Sequence, residues 1–181
     1  MSARARLISV DGASGRAIIA AAQQLARRDR SIKGVSRWDA SGLFEQLAVA
    51  DEAATASPRT LLLLYAADLA FRLRWEIEPA LAEGHPVVAA PYIETALAFG
   101  RATGVSAKWL TNLFRFARRP AERHIVKARR AAAGMRTNAG LIEFGSAMIA
   151  PKAGRALAAR AGTYLNARRG SARPGGLRRS R

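Results

Sequence analysis

Seven residues near the N-terminus, Asp11-Gly12-Ala13-Ser14-Gly15-Arg16-Ala17, bring glycine, hydroxyl, carboxylate and guanidinium groups together in a way that points to phosphate chemistry. They follow an apolar run, Leu7-Ile8-Ser9-Val10, and precede a helix-like stretch from Ile18 to Arg28. Strand, glycine turn and helix start is the setting in which backbone amides wrap a phosphate. A working loop of this kind has four residues between its glycines, then Gly-Lys-Ser/Thr; the lysine reaches the outer phosphates and the hydroxyl holds magnesium. Here Gly12 and Gly15 enclose only Ala13 and Ser14. Arg16 stands where lysine is expected, and Ala17 where the hydroxyl is expected. The setting is that of a nucleotide-binding loop, and the reacting groups are missing from it.

The elements that must position this loop alternate strand and helix, the order of a parallel sheet covered on both faces. Leu7 to Val10 reads as a buried strand and Ile18, Ala22 and Leu25 as one face of a helix. Ile32 to Ser36 is a second, short strand, and Leu43 to Ala53 a helix capped by Asp39 or Ser41. Ser57-Pro58 gives the clearest helix start, serine as N-cap and proline in the first turn. That helix runs through Leu61, Tyr65, Leu69 and Trp75 toward Leu81, is disturbed at Pro79, and is closed by Gly84. His85 to Ala90 predicts a third strand, followed by helices over 94–102 and 107–117, the second capped by Ser106. Residues 123–128 fit strand or helix equally. Arg129 to Gly140 reads as a loop, Pro151 opens another helix, and 163–167 predicts a last strand.

The expected fold is therefore a three-layer α/β domain over residues 1–167, with a central parallel sheet of about five strands, followed by a basic tail over 168–181. At 181 residues, half of them hydrophobic, the chain has enough material for one sizeable core. Its longest apolar run, Leu61 to Ala67, is too short for a membrane span, and no signal-peptide core precedes it, so a cytoplasmic protein is expected. The absence of cysteine excludes disulfides and thiolate metal sites, and His85 and His124 form no ligand pair. No metal site is predicted.

The net charge of +17 is unevenly placed. Residues 1–100 carry eleven basic and eleven acidic residues, whereas residues 101–181 carry nineteen basic and two acidic ones. This asymmetry raises a polyanion contact through Arg118, Arg119, Arg123, Arg129, Arg130 and the tail, against the plain alternative of a solvated, arginine-rich surface. No base-reading motif accompanies these arginines, so nucleic-acid binding through them would be nonspecific.

Three segments in succession then carry a resemblance. Pro58-Arg59-Thr60, a leucine run and Tyr65-Ala66-Ala67-Asp68 come first. Ile77-Glu78-Pro79-Ala80-Leu81-Ala82-Glu83-Gly84 follows, and then Tyr92-Ile93-Glu94-Thr95-Ala96-Leu97-Ala98-Phe99. In this order and spacing they resemble the thymidylate kinase family, from about Arg6 to Trp109, with weaker agreement to Ala167. The resemblance implies the P-loop NTPase fold, a dTMP-like nucleotide as ligand, and pairing into a homodimer through helices that include the Pro58–Leu81 element.

It also implies a nucleoside side built from Tyr65, Tyr92 and Phe99, and phosphate contacts from Gly12, Gly15, Arg16 and Arg37. Asp11 stands for an acidic residue of the loop. For the aromatics, core packing is an equal alternative, and for Arg37 a surface ion pair. The family's base-holding arginine is Leu69 here, and the Asp-Arg pair ending its third strand is Ala90-Pro91. Phosphoryl transfer depends on positioning and charge neutralisation, so these losses predict a catalytically degenerate member that binds a nucleotide or serves as a scaffold. The alternative is an active dTMP kinase that moves the γ-phosphate of ATP with Mg²⁺, using Asp11 and Arg16 in altered roles. ATP and Mg²⁺ enter only with that alternative.

Overall fold

The structure, a computed structural model, describes residues 5–13, 15–39 and 57–126. The expected helix over 43–53, Arg129 and Arg130, the segments at 129–140, 151–161 and 163–167, and the tail over 168–181 lie outside the described residues.

Four parallel strands form one sheet in the order β2-β3-β1-β4. They are β1 (Leu7–Gly12), β2 (Gly34–Arg37), β3 (Val87–Ala90) and β4 (Glu122–Val126). Helix α1 (Gly15–Arg28) follows β1, and α2 (Pro58–Arg72) follows β2. After α2 come a π-helical turn (Leu73–Ile77) and the short α3 (Glu78–Ala82); α4 (Ile93–Ala102) and α5 (Ala107–Leu113) follow β3.

The strands are buried on both faces, as a parallel sheet requires. Ile8 and Val10 of β1, with Val88 and Ala90 of β3, pack against Ile18 and Ala22 of α1. Leu7, Val87 and Ala89 point the other way, into a larger core with Leu61, Leu62 and Tyr65 of α2, Ala96 and Phe99 of α4, and Leu110 of α5. The result is the expected three-layer α/β architecture.

Local chemistry sets most element ends. The Ser57 side chain accepts a hydrogen bond from the Thr60 amide at 3.1 Å, and Ser106 accepts one from the Trp109 amide at 3.3 Å, so both expected N-caps form. Pro79 has no amide to donate, and its ring would meet the carbonyl four residues back. The chain answers by widening the preceding turn: the Glu78 amide bonds to the Leu73 carbonyl, five residues back. Gly84 then closes the element at φ +86°, a conformation open to glycine.

Three boundaries differ from the sequence reading, each because of a neighbour. Strand β2 begins at Gly34 rather than Ile32 because its partner β3 starts only after Pro86, with Gly34 opposite Val87. Strand β1 runs two residues past Val10 because Asp11 and Gly12 pair with Ile125 and Val126. That pairing also decides the ambiguous segment at 123–128 in favour of strand. Helix α5 stops at Leu113 instead of continuing to 117.

Candidate functional site

In an open parallel sheet, ligands meet the carboxyl ends of the strands where the connections diverge. Here the chain leaves β1 for the edge strand β2 on one side and leaves β3 for β4 on the other, so the ends of β1 and β3 flank the divergence. Asp11, Gly12, Ala90 and Pro91 occupy those ends.

Asp11 is 1% exposed, and one of its carboxylate oxygens holds the start of α4. Oδ1 accepts from the Tyr92 amide at 2.8 Å and from the Thr95 amide and hydroxyl at 3.0 Å each. Helix α4 has no capping side chain of its own, so its exposed amides are satisfied by a carboxylate 81 residues away in sequence. Thr95 Oγ1 also accepts from the Gly12 amide at 3.1 Å and lies 3.2 Å from the Gly12 carbonyl. Asp11 Oδ2, equally buried, has no partner. Burial pushes this carboxyl up to about 6; the Thr95 and Tyr92 hydrogen bonds oppose the rise and nearby Glu94 adds to it. Glu94 is itself buried, with Arg123 of β4 at 3.7 Å.

Only positions 13 and 14 separate the last residue of β1 from the first of α1. The junction is also tight. A Cβ on Gly12 would lie 3.2 Å from Ile18 Cγ1 and 3.3 Å from both Val126 Cβ and the Val126 carbonyl. Gly15 is buried in the first turn of α1, and Arg16 follows it there, its side chain lying outside what is described.

The aromatic residues are brought together but turned inward. Tyr65, Tyr92 and Phe99 are each fully buried. The Tyr65 hydroxyl donates to the Tyr92 carbonyl at 2.5 Å, and the Tyr92 hydroxyl donates to the Arg118 carbonyl at 2.7 Å. Burial raises both phenols above their ordinary range. Trp38, at the end of β2, sets its ring 6.4 Å from that of Tyr65, and Phe114 meets Tyr65 edge-on at 6.1 Å. Arg37, opposite Ala90, is exposed. Arg118 is exposed and paired with Glu78 at 2.8 Å, while Arg119 is exposed nearby in sequence. Among the described residues no cluster of His, Asp or Glu has the arrangement of a metal site.

Two polar residues central to this region were not singled out from sequence. Thr95, on an otherwise apolar helix, gave no local sign that it bridges to Gly12. Arg72 had a readable sign, an Asp68-to-Arg72 spacing of i, i+4 on a helix whose other buried residues are mainly apolar. It is 0% exposed, with Nε donating to Asp68 Oδ2 at 2.9 Å and its guanidinium carbon 6.0 Å from the Tyr65 ring centre.

The strand order, glycine junction and helical layers define an α/β domain of the P-loop type. No family model matches the chain. Among curated proteins it is 30% identical to a probable thymidylate kinase of Caldivirga maquilingensis over 104 residues, 56% of this chain and 51% of the relative. It is 39% identical to a probable thymidylate kinase of Pyrobaculum calidifontis over 56 residues, 31% of this chain and 29% of the relative. The chain thus spans about half or less of the length of these relatives. Among solved structures, the thymidylate kinase of Ehrlichia chaffeensis superposes with a TM-score of 0.52 at 16% identity, covering 68% of this chain and 71% of that one. The chain is thymidylate-kinase-like in sequence and in fold.

Proposed function

We propose that this protein is a catalytically degenerate relative of thymidylate kinases, a nucleotide-binding or scaffolding protein that has lost its ATP-phosphate site. The observation that carries the reading is the two-position junction between β1 and α1, with the Gly12 amide already bonded to Thr95. A phosphate loop works by offering several unpaired backbone amides in one cradle. Two connecting residues, without the lysine and the hydroxyl, cannot build that cradle. Asp11, held as the cap of α4, acts here as a structural carboxylate.

Thermal unfolding with ATP, ADP, dTMP and dTDP, each with and without Mg²⁺, tests this. A nucleotide held at a hundred times its Kd stabilises the fold by about 2.7 kcal/mol. No shift is expected with ATP and Mg²⁺. A shift with dTMP would identify the protein as a nucleotide binder, and no shift with any nucleotide would leave the scaffold role. Magnesium-dependent stabilisation by ATP would overturn the proposal in favour of an active dTMP kinase.

The homodimer belongs to the same reading. Leu63, Phe71 and Trp75 are 53%, 47% and 65% exposed, and with exposed Ala67 they recur every four residues along α2 and the π-helical turn. An apolar stripe of this kind is self-complementary under a two-fold axis. Size-exclusion chromatography with light scattering should report a dimer for the protein and a monomer for Phe71→Lys/Trp75→Lys. A monomeric parent would remove the assembly from the proposal.

A further inference from the structure

Two buried polar groups remain unsatisfied beside the carboxyl end of β2, and both suit an anion. Arg72 Nη2 has no partner, although the whole side chain is enclosed. A guanidinium that served only to pair with Asp68 would engage it through two parallel hydrogen bonds. Here Nε alone is recorded on Asp68. Nη1 turns to two neutral carbonyl oxygens, Pro91 O at 3.2 Å and Ser36 O at 3.4 Å, both long contacts. Ser36 Oγ, on a residue only 4% exposed, is the second unsatisfied group. Ser36 also forms part of the wall of a cavity of about 360 Å³ that runs along β2, between Lys33–Ser36 on one side and Trp75, Pro79 and Ala80 on the other. Glu76 and Glu83 lie on the same wall, with Glu83 neutralised by Lys33.

We infer that Arg72 and Ser36 form a binding site for a phosphate monoester, entered from the cavity along β2. A phosphate dianion competes well for these donors, because charge-assisted bonds are about twice as strong as bonds to neutral carbonyls. Arg72 supplies Nη1 and Nη2 as a fork, Ser36 supplies its hydroxyl, and Lys33 adds positive charge at the cavity wall. Asp68 keeps the guanidinium paired while the site is empty, so the unfilled site stays compatible with the fold. This site lies on the β2 side of the sheet, whereas the proposed loss of function concerns the β1–α1 junction. The two are therefore tested by different residues.

The test is isothermal titration of the protein with inorganic phosphate, dTMP and thymidine at fixed ionic strength. Phosphate or dTMP should bind and thymidine should not; tighter binding of dTMP than of phosphate would identify a nucleotide as the source of the group. Ser36→Ala removes a hydroxyl without a partner, so its melting temperature should match the parent while phosphate-monoester affinity falls about tenfold. Arg72→Met/Asp68→Asn removes both charges together and should lower that affinity about a hundredfold. Equal binding of dTMP and thymidine would overturn the inference. So would no binding of either phosphate compound, or unchanged affinity in both variants.

Discussion

Replacing Arg72 alone by methionine is expected to cost about 3–5 kcal/mol of folding stability, the usual penalty for breaking a buried ion pair from one side. Asp68 is only 2% exposed at its side chain and sits 2.9 Å from the Arg72 guanidinium. Without the guanidinium its carboxylate has no neutralising charge among the core residues Tyr65 and Leu69 and must take up a proton or draw in water. The Ser36 and Pro91 carbonyls lose a donor in the same step. The paired variant Arg72→Met/Asp68→Asn should regain most of the loss, since an apolar replacement of a buried ion pair is often neutral. Urea unfolding of the two variants decides the matter. A single variant within about 1 kcal/mol of the parent would show that the pair is exposed to water rather than enclosed.

Asp11 should give stability a pH dependence opposite to that of an ordinary surface carboxylate. Its carboxyl is raised from 3.8 to about 6, so the folded state binds this proton more tightly than the unfolded chain does. Stability from this group is therefore full below the unfolded value, falls as pH rises from about 4 to about 6, and is flat above that. The fall amounts to about 3 kcal/mol at about 1.4 kcal/mol per unit. Asp11→Asn keeps an oxygen to accept from the Tyr92 and Thr95 amides and does not titrate. The stability difference between the variant and the parent, measured by urea unfolding at pH 4, 5, 6 and 7, should move by about 3 kcal/mol in the variant's favour across that range. Other titrating groups largely cancel in the difference. A difference that stays constant with pH would mean that Oδ2 reaches solvent and that the cap is made by an ordinary carboxylate.

Why one acidic residue escaped its reading as a loop acid is a matter of distance. From sequence, Asp11 is a residue between a strand and a glycine turn, which fits phosphate or metal chemistry. Its actual partners, Tyr92 and Thr95, are more than eighty residues away, and nothing in a local pattern reports them. Tyr65 presents the same problem: helical periodicity placed it on a buried face, and equal weight was due to stacking and to packing. Burial beneath Trp38, Phe114 and Arg72 is visible only once those elements are assembled. Pro79 is the intermediate case. Its missing amide predicts a disturbance from sequence alone, while the form it takes, a widened turn over Leu73–Ile77, depends on how α2 packs.

By itself the sequence determined the alternation of strands and helices, both serine N-caps, the glycine closing α3 and the loss of the phosphate-loop lysine and hydroxyl. All of these are local: each follows from one residue's hydrogen-bonding groups or allowed dihedral angles, or from a spacing of a few residues. Tertiary structure alone decided where β1 ends, that residues 122–126 form its neighbour, that Asp11 caps α4, and that Arg72 faces the end of β2. Those depend on contacts between segments tens of residues apart, formed when burial of two apolar sheet faces brings the segments together. The enclosed charges and unsatisfied polar atoms arise from that same burial, which is why the chemistry of this protein lies where its chain pattern is least informative.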